Sequence, residues 1–351
     1  MREKLRCAVI GAGGIGLDHL NSLASFPRAV AVAIAESHPQ RLAEAAHRFK
    51  IDRSYADYRE LLEQPDIDAV TIALPNYLHA PVAIEALKAR KHVLLEKPMA
   101  TSAKEAGKII DTAEKMKRVL MVAQNFRFNR HTQTARAFIE SNALGEVYHA
   151  RCFWLRRNGI PRIGSWFTQK QFAGGGCTCD LGVHMLDACL HLLNDFEVQA
   201  VSAQTHIELG PRGSGELNWG KSEVDPKRPC DVEDYSVAML RLKRGRSVIL
   251  EVSWAAFHPA DSREYGIDLL GTQAGLSLYP AKLSRNGPNG YESILLNAGK
   301  VPHAEDRVHH FVGCVLDGKK PLVTAEESLK VQQIFDAIYA SAASGKEVSL
   351  K

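Results

Sequence analysis

The chain has 351 residues, of which 45% are hydrophobic and 24% charged, and its formal net charge is +4. This length makes two domains the natural expectation, and the composition is that of a globular protein rather than a disordered or fibrous one. Lysine and arginine are scattered rather than clustered, so we expect no nucleic-acid partner.

The cysteines and the apolar segments indicate where the protein works. Seven cysteines are present and no pair has CxxC spacing, which is typical of reduced thiols rather than of a disulfide framework. The N-terminus is charged and shows no signal peptide. No apolar run approaches the roughly 20 residues that span a bilayer. We therefore expect a cytoplasmic protein without a membrane partner.

Short apolar runs of four to six residues alternate with amphipathic segments through the first 125 residues. Runs of this kind are typical of parallel strands buried on both faces. The clearest helix is predicted at 102–117, with Ser102 and Glu105 as a capping box. The alternation predicts a doubly wound α/β, Rossmann-type domain over residues 1–125. Its predicted strands are Leu5–Ile10, Val30–Ala35, Ala69–Leu74, His92–Leu95 and Leu120–Ala123.

From about residue 147 the strands become longer and follow one another. This order predicts an α+β domain over residues 126–351, built on a large open sheet that is mostly antiparallel or mixed. The polar segment Gly210–Pro229 is predicted to be a loop. Strands are predicted at Val147–Leu155, Val198–His206, Val232–Leu242, Ser247–Phe257 and Tyr265–Leu270, and helices at 180–193, 303–316 and 326–343. Thr324 and Glu327 form a capping box for the last helix, and Gly345 ends it.

A glycine-rich motif follows the first predicted strand. Gly11-Ala12-Gly13-Gly14-Ile15-Gly16 matches GxGxxG and begins a helical pattern. In this context Gly11 makes the tight turn, Gly13 lets the backbone approach a pyrophosphate, and Gly16 allows the helix to pack closely on the strand. The helix N-terminus, with Gly14 and Ile15, then directs free N–H groups at the phosphates. The alternative is a glycine-rich turn without a ligand.

An acidic residue ends the second predicted strand. Glu36 lies twenty residues after Gly16, where a carboxylate accepts hydrogen bonds from the adenosine ribose hydroxyls and opposes a 2′-phosphate. We therefore expect NAD as cofactor, with NADP less favoured. Arg41 lies nearby and would soften the repulsion. A solvated carboxylate at a strand end is the alternative.

Polar residues follow two further strands at the carboxyl edge of the sheet, where such folds bind ligands. Pro75, Asn76 and His79 follow the third strand, and Gln124 and Asn125 follow the fifth. We expect all five at the cofactor. His79 is equally compatible with a helix-start residue that contacts no ligand.

Glu96-Lys97-Pro98 follows the fourth predicted strand, near the expected position of the nicotinamide. A strand that ends in charged residues and proline stops abruptly and directs its side chains outward. We expect Glu96 and Lys97 at the cofactor, and Lys97 also at the substrate. On sequence alone, a solvated Glu–Lys pair at a turn is the simpler explanation.

A carboxylate and a histidine follow the glycine run 174–176. Asp180 and His184 are four residues apart, so they share one face of the predicted helix. Such a pair suits general acid–base work on a hydroxyl or carbonyl group. One alternative is a structural His–Asp pair. Another is a zinc site with Cys177 and Cys179, but this spacing does not match common zinc sites, so we expect no metal.

Taken together, these motifs resemble the Gfo/Idh/MocA oxidoreductases, named for glucose–fructose oxidoreductase and inositol dehydrogenase. The resemblance covers nearly the whole chain and depends on the order of Gly11–Gly16, Glu96-Lys97-Pro98 and Asp180-x-x-x-His184. It implies catalytic roles for Lys97, Asp180 and His184 and a Lys97–Pro98 bond that is often cis. It also implies NAD or NADP as cofactor, a polyol, sugar or glycoside substrate, and an open sheet that assembles a homodimer or homotetramer.

Further residues are candidates for the substrate site. An aromatic ring beside polar donors grips a sugar by its apolar face and its hydroxyls. Packing within the protein is as good an explanation for each of them. The candidates are Arg127, Arg156, Asn158, Trp166 and Phe167, together with Lys97, Asp180 and His184.

The expected reaction is reversible oxidation of a secondary alcohol on a sugar, glycoside or cyclitol ring. His184 takes the hydroxyl proton, Lys97 stabilises the alkoxide and Asp180 orients His184 or the substrate. Whether Lys97 or His184 is the formal base stays open. So do three other functions: an NAD-dependent glycosidase acting through transient ring oxidation, an NADPH-dependent keto-sugar reductase, and a non-catalytic NAD-binding protein.

Overall fold

The computed structural model describes residues 4–217, 222–259, 261–297, 299, 301 and 303–350. Within these residues the chain forms two compact units. The first comprises the described residues up to Gln124, together with 222–223 and 306–329, and the second comprises the others. The sequence predicted two consecutive blocks, with residues 126–351 in the second. In the structure, residues 306–329 instead belong to the first unit.

The first unit contains a six-stranded sheet: β1 (Leu5–Ile10), β2 (Ala29–Ala35), β3 (Ser54–Tyr55), β4 (Ala69–Ile72), β5 (His92–Leu95) and β6 (Leu120–Val122). The strands are parallel in the order β3-β2-β1-β4-β5-β6. The chain runs outward from β1 and then returns to its other side. The carboxyl ends of β1 and β4 therefore flank the switch point at which such sheets bind ligands.

The predicted strands of this unit are found within two residues at each end. Their side chains are buried almost throughout in β1, β4 and β5, as expected for the centre of a parallel sheet. Ser102 caps its helix by accepting the Glu105 N–H at 3.3 Å. The helices are α1 (Gly14–Ser25), α2 (Pro39–Phe49), α3 (Tyr58–Leu62), α4 (His79–Lys88), α5 (Ala103–Met116) and α9 (Arg307–Asp317).

The second unit contains a nine-stranded mixed sheet and a small parallel pair, β8 (Ile160–Pro161) with β10 (Glu216–Leu217). The large sheet comprises β7 (Val147–Leu155), β9 (Val198–His206), β11 (Tyr235–Leu242), β12 (Ser247–Ser253), β13 (Tyr265–Gly271), β14 (Gly275–Leu278), β15 (Lys282–Gly287), β16 (Gly290–Leu295) and β17 (Val348–Ser349). Its order is β16-β15-β14-β13-β7-β12-β11-β9-β17. Neighbouring strands are antiparallel except β7 and β12, which are parallel.

One face of this sheet packs on helices. Alternate residues of β11 and β12 are buried, and those between them are exposed or partly exposed. Leu250 and Val252 lie on the buried face, where they would contact a side chain at Gly182. The other helices are α6 (Arg130–Glu140), α7 (Lys170–Ala173), α8 (Val183–Leu193) and α10 (Ala325–Ser344).

Several predicted boundaries shift in this unit. The strand predicted from Val232 begins at Tyr235, and the strand predicted to end at Phe257 ends at Ser253. The helix predicted at 303–316 is α9, which begins at Arg307 because Asp306 caps it. The predicted Gly210–Pro229 loop contains a 3₁₀ turn at Gly210–Arg212 and β10, and its residues 218–221 lie outside the described part.

Two smaller findings complete the fold. Thr324 accepts the Glu327 N–H at 3.2 Å, so the predicted cap of the last helix is present, and Gly345 follows it with a φ of +67°. In the described part of the chain, no helix combines the length and the apolar character that crossing a membrane requires.

Candidate active site

The glycine-rich turn connects β1 to α1 in the first unit. Gly11 has a φ of +98°, and a Cβ there would lie 2.2 Å from the Ala73 carbonyl oxygen; a Cβ on Gly16 would lie 1.8 Å from the Gly11 oxygen. Both positions therefore require glycine. Gly13 and Gly14 face open space. The N-terminus of α1 has no side-chain cap and no acidic residue in its first turn, so its N–H groups suit an anion.

Glu36 lies directly after β2, with its carboxylate turned towards this turn. It accepts the N–H groups of Ala12 at 2.8 Å and His38 at 2.9 Å, and Arg41 lies 3.1 Å from it. Burial would raise the pKa of Glu36, but these hydrogen bonds lower it overall. The group is therefore an anion at neutral pH, and it already engages the arginine that would otherwise attract a 2′-phosphate.

A buried amide and the open glycines show that the first unit fits NAD. Gln124 follows β6 and is 2% exposed, and its Oε1 has no hydrogen-bond partner among the described residues. Asn76 lies in a 3₁₀ turn after β4, is buried, and follows a half-buried Pro75. These groups, the free α1 N-terminus and the ionised Glu36 are the donors and acceptors that a dinucleotide needs at this edge.

The His79 ring is held between two backbone carbonyl groups. It is 1% exposed, and its Nδ1 and Nε2 lie 2.7 Å from the Pro98 oxygen and 2.8 Å from the Leu74 oxygen. Burial lowers its pKa, against the influence of the two carbonyl groups. The ring therefore ties the segment after β4 to the segment after β5, and its contact with the cofactor stays a prediction.

Glu96-Lys97-Pro98 follows β5, and its Lys97–Pro98 bond is cis, as the resemblance implied. The Glu96 carboxylate is buried, with His19 Nε2 at 2.9 Å and Arg307 at 3.7 Å. Burial would raise the pKa of Glu96, but the His19 hydrogen bond and the nearby cations lower it to about 2. Its oxygens face these protein groups, and its contact with the cofactor stays a prediction. Lys97 is half-buried beside it.

The Asp180 and His184 pair belongs to the second unit. A π-helical segment at Thr178–Gly182 carries Asp180, and His184 lies in the first turn of α8. The sequence predicted a continuous α-helix, and the structure differs by this π segment. Such segments often occur at functional sites. Asp180 Oδ2 accepts the indole N–H of Trp254 at 2.9 Å. Both residues are half-buried, so a substrate can approach them.

Aromatic rings surround His184. Its ring centroid lies 5.2 Å from that of Phe126 and 6.1 Å from that of Trp154. Tyr265 lies 5.2 Å from Trp154 and 5.4 Å from Tyr279. Such a cluster beside a polar pair is suited to the apolar face of a sugar ring. The sequence did not reveal this cluster because its rings come from four separate segments.

The two predicted substrate arginines have different surroundings. The Arg156 guanidinium lies 4.7 Å from the Trp154 ring centroid. Arg127 is fully buried and donates to both oxygens of Asp187 at 2.8 and 2.7 Å. The structure therefore gives Arg127 a buried carboxylate as partner, and its substrate role stays a prediction.

The other predicted residues of this unit are more open. Asn125 and Asn158 are exposed, and Trp166 and Phe167 are half-buried, with their rings stacked at 3.8 Å. Burial raises the pKa of the Cys177 thiol well above its ordinary value and that of the Cys179 thiol to about 12.

A Rossmann unit with a free helix N-terminus, and a mixed-sheet unit with an acid–histidine pair, define a dinucleotide-dependent oxidoreductase. The comparisons with known proteins agree. Residues 5–124 match the model of an oxidoreductase family with an NAD-binding Rossmann fold, and residues 132–277 match the GFO/IDH/MocA C-terminal domain. The chain belongs to the Gfo/Idh/MocA family, and its first unit is the NAD-binding domain.

Named relatives include two sugar dehydrogenases. Levoglucosan dehydrogenase of Pseudarthrobacter phenanthrenivorans is 34% identical over 69% of this chain and 66% of its own length. D-glucoside 3-dehydrogenase of Escherichia coli is 30% identical over 99% of this chain and 97% of its own length. A structure of levoglucosan dehydrogenase with NADH and L-sorbose has a TM-score of 0.85, with 27% identity over 100% of both chains.

Proposed function

We propose that this protein oxidises a ring secondary alcohol of a neutral sugar, glycoside or cyclitol with NAD. The observation that carries the proposal is that His184, four residues after Asp180, lies beside aromatic rings in one unit, in a chain whose other unit fits NAD. Relatives named for levoglucosan and for D-glucosides at C3 favour an unphosphorylated glucoside over the other rings.

The proposed oxidation removes a proton from the substrate hydroxyl and a hydride from the carbinol carbon. When bound, NAD accepts the hydride of the carbinol carbon, which leaves a ketone. His184 accepts the hydroxyl proton, and Asp180, held by Trp254 at 2.9 Å, fixes the orientation of the acceptor or of the substrate hydroxyl. Lys97 offsets the negative charge that develops on the substrate oxygen. Its role and that of His184 follow from the family motifs they match.

The aromatic cluster supplies the substrate contacts in this proposal. The Phe126 and Trp154 rings lie close to His184, and Tyr265 lies beside Trp154. Arg156 adds hydrogen-bond donors beside Trp154. A pyranose ring has one apolar face and a rim of hydroxyls, so rings and donors side by side match it. Asn158, Trp166 and Phe167 remain candidates for contacts farther along the substrate.

The assembly and the cellular location are part of the proposal. The face of the large sheet opposite α8 presents partly exposed Ile249 and 40%-exposed Met239 beside Arg241 and Glu251, a mixed apolar and charged surface of the kind that subunit contacts use. We propose a homodimer or homotetramer formed through it. The seven cysteines are free and buried, which fits a reducing compartment such as the cytoplasm.

A substrate panel tests the function. Purified protein is mixed with NAD and each of levoglucosan, methyl β-D-glucoside, myo-inositol and glucose 6-phosphate, and NADH is followed by absorbance while sugars are separated by chromatography. The proposal expects stoichiometric NADH and ketone with a neutral ring. Free glucose released from the glucoside without net NADH would instead support the glycosidase alternative. No NADH from any alcohol, together with NADPH consumption in a parallel assay with a keto-sugar, would support the reductase.

A further inference from the structure

Glu233 is a buried carboxylate in the loop that precedes β11, and it is 4% exposed. Its Oε2 accepts the Gly176 N–H at 2.9 Å, and its Oε1 accepts the Thr178 N–H at 3.0 Å and the Tyr339 hydroxyl at 3.0 Å. The two N–H groups begin the helical segment that carries Asp180. Groups at a helix start have no partner within the helix, and a negative charge there is favourable.

The backbone of Glu233 holds the same turn. Its carbonyl oxygen accepts the Cys177 N–H at 3.0 Å, so Glu233 binds three consecutive residues of the turn. The approach is close: a Cβ on Gly176 would lie 2.0 Å from that oxygen. Gly176 is therefore required for contact between two backbones, which gives the glycine run a reason that the sequence did not reveal.

The next residue fixes the other support of Asp180. The Asp234 carbonyl oxygen accepts the Trp254 N–H at 2.9 Å and the Ser253 hydroxyl at 3.1 Å. The Trp254 indole in turn donates to Asp180 at 2.9 Å, and Trp254 is fully buried. Glu233 and Asp234 thus connect the start of the Asp180 segment to the side chain that binds the Asp180 carboxylate.

We propose that Glu233 is a positioning residue for catalysis: its carboxylate fixes the Gly176–Thr178 turn and thereby the geometry of Asp180 and His184. The inference rests on the proposed roles of these two residues. Glu233 acts through the helical segment, because its oxygens are already occupied by protein donors. An error of about 1 Å in such a pair can cost about 10²-fold in rate, so the residue matters for turnover as well as for folding.

The test compares Glu233→Gln with Tyr339→Phe. Glutamine keeps the volume but sets an NH₂ group against one of the backbone donors, whereas Tyr339→Phe removes one hydroxyl and leaves the turn bonded. Glu233→Gln is expected to lower kcat by about 10–100-fold and to shift the pH–rate midpoint, with unchanged NAD affinity. Tyr339→Phe is expected to keep kcat within about twofold of the wild type and to leave the pH–rate midpoint unchanged.

A second measurement needs no substrate. The NMR titration of His184, assigned by its loss in His184→Ala, is expected to move in Glu233→Gln and to stay fixed in Tyr339→Phe. If Glu233→Gln does not fold, Glu233→Asp, which keeps the charge and retracts it by one methylene, is measured in its place with the same expected direction.

Two results would overturn the inference: a folded Glu233→Gln variant with wild-type kcat, or a kcat loss that equals the loss of folded protein while the pH–rate midpoint and the His184 titration stay unchanged. If the wild type turns over no sugar, the proposed function fails, while the His184 titration still decides whether Glu233 sets this geometry.

Discussion

Glu96→Gln should destabilise the first unit in a pH-dependent way. The pKa of Glu96 falls from its ordinary 4.5 to about 2, because the His19 hydrogen bond and the charges of His19, Arg307 and Lys97 outweigh its burial. At about 1.36 kcal/mol per pKa unit, ionised Glu96 contributes roughly 3 kcal/mol to the free energy of unfolding at neutral pH. Glutamine has the shape of the protonated acid and lacks this contribution.

The sign of the effect fixes its pH range. The folded pKa lies below the unfolded one, so the stabilisation is fully present above about pH 4.5 and is lost as the pH falls towards about 2. At pH 3 the difference in the free energy of unfolding between wild type and Glu96→Gln should be less than half of its value at pH 7.

Urea unfolding at pH 7 and pH 3 measures this difference. Glu114→Gln, which changes an exposed carboxylate on α5, is the control and should alter the free energy of unfolding by less than about 0.5 kcal/mol. A loss of less than about 1 kcal/mol in the free energy of unfolding of Glu96→Gln at pH 7, well below the roughly 3 kcal/mol expected from the lowered pKa, would refute this contribution of Glu96. An equal loss at both pH values would refute it too.

Three other predictions concern catalysis, cofactor and assembly. Lys97→Met should lower kcat by about 10²–10⁴-fold with NAD affinity unchanged, since the glycine turn binds the phosphates; retention of more than about a tenth of kcat would remove Lys97 from catalysis. Combined with His184→Ala it should be less than multiplicative. Fluorescence titration should show tighter binding of NAD than of NADP, and Glu36→Gln should reduce this difference in affinity. Equal wild-type affinities for the two cofactors would contradict the role of Glu36 in opposing a 2′-phosphate. Light scattering should give at least twice the monomer mass, and a monomer at micromolar concentration would count against the proposed sheet contact.

The sequence was informative where local physics decides structure. β1 and β5 occupy the predicted residues because short, almost wholly apolar runs are typical of strands that are buried on both faces of a parallel sheet. The Gly11–Gly16 turn was predictable because its GxGxxG spacing directly follows an apolar run and begins a helical pattern. The close approach at Gly16 is to the nearby Gly11 oxygen, whereas the one at Gly11 is to Ala73, far along the chain. Ser102 was recognisable as a cap because its partner Glu105 lies three residues away.

Long-range pairing was not predictable. Arg127 binds Asp187 sixty residues away, and Glu96 binds His19 across 77 residues, so both polar residues looked free in the sequence. Glu233 lay inside a predicted strand, and its contact with Gly176 depends on how two distant loops meet. The π-helical segment at Thr178–Gly182 was missed because it is only five residues long, too short for its period to be distinguished from that of the α-helix that follows.

The central claim is that the protein transfers hydride from a neutral sugar ring to NAD. Its most direct test is the NADH absorbance on mixing the wild-type protein with NAD and methyl β-D-glucoside or levoglucosan, with His184→Ala run in parallel. We expect NADH formation by the wild type, matched by an equal amount of keto-sugar, and at least about a hundredfold slower formation by the variant. It would be contradicted if neither sugar yields NADH, or if His184→Ala forms NADH at the wild-type rate.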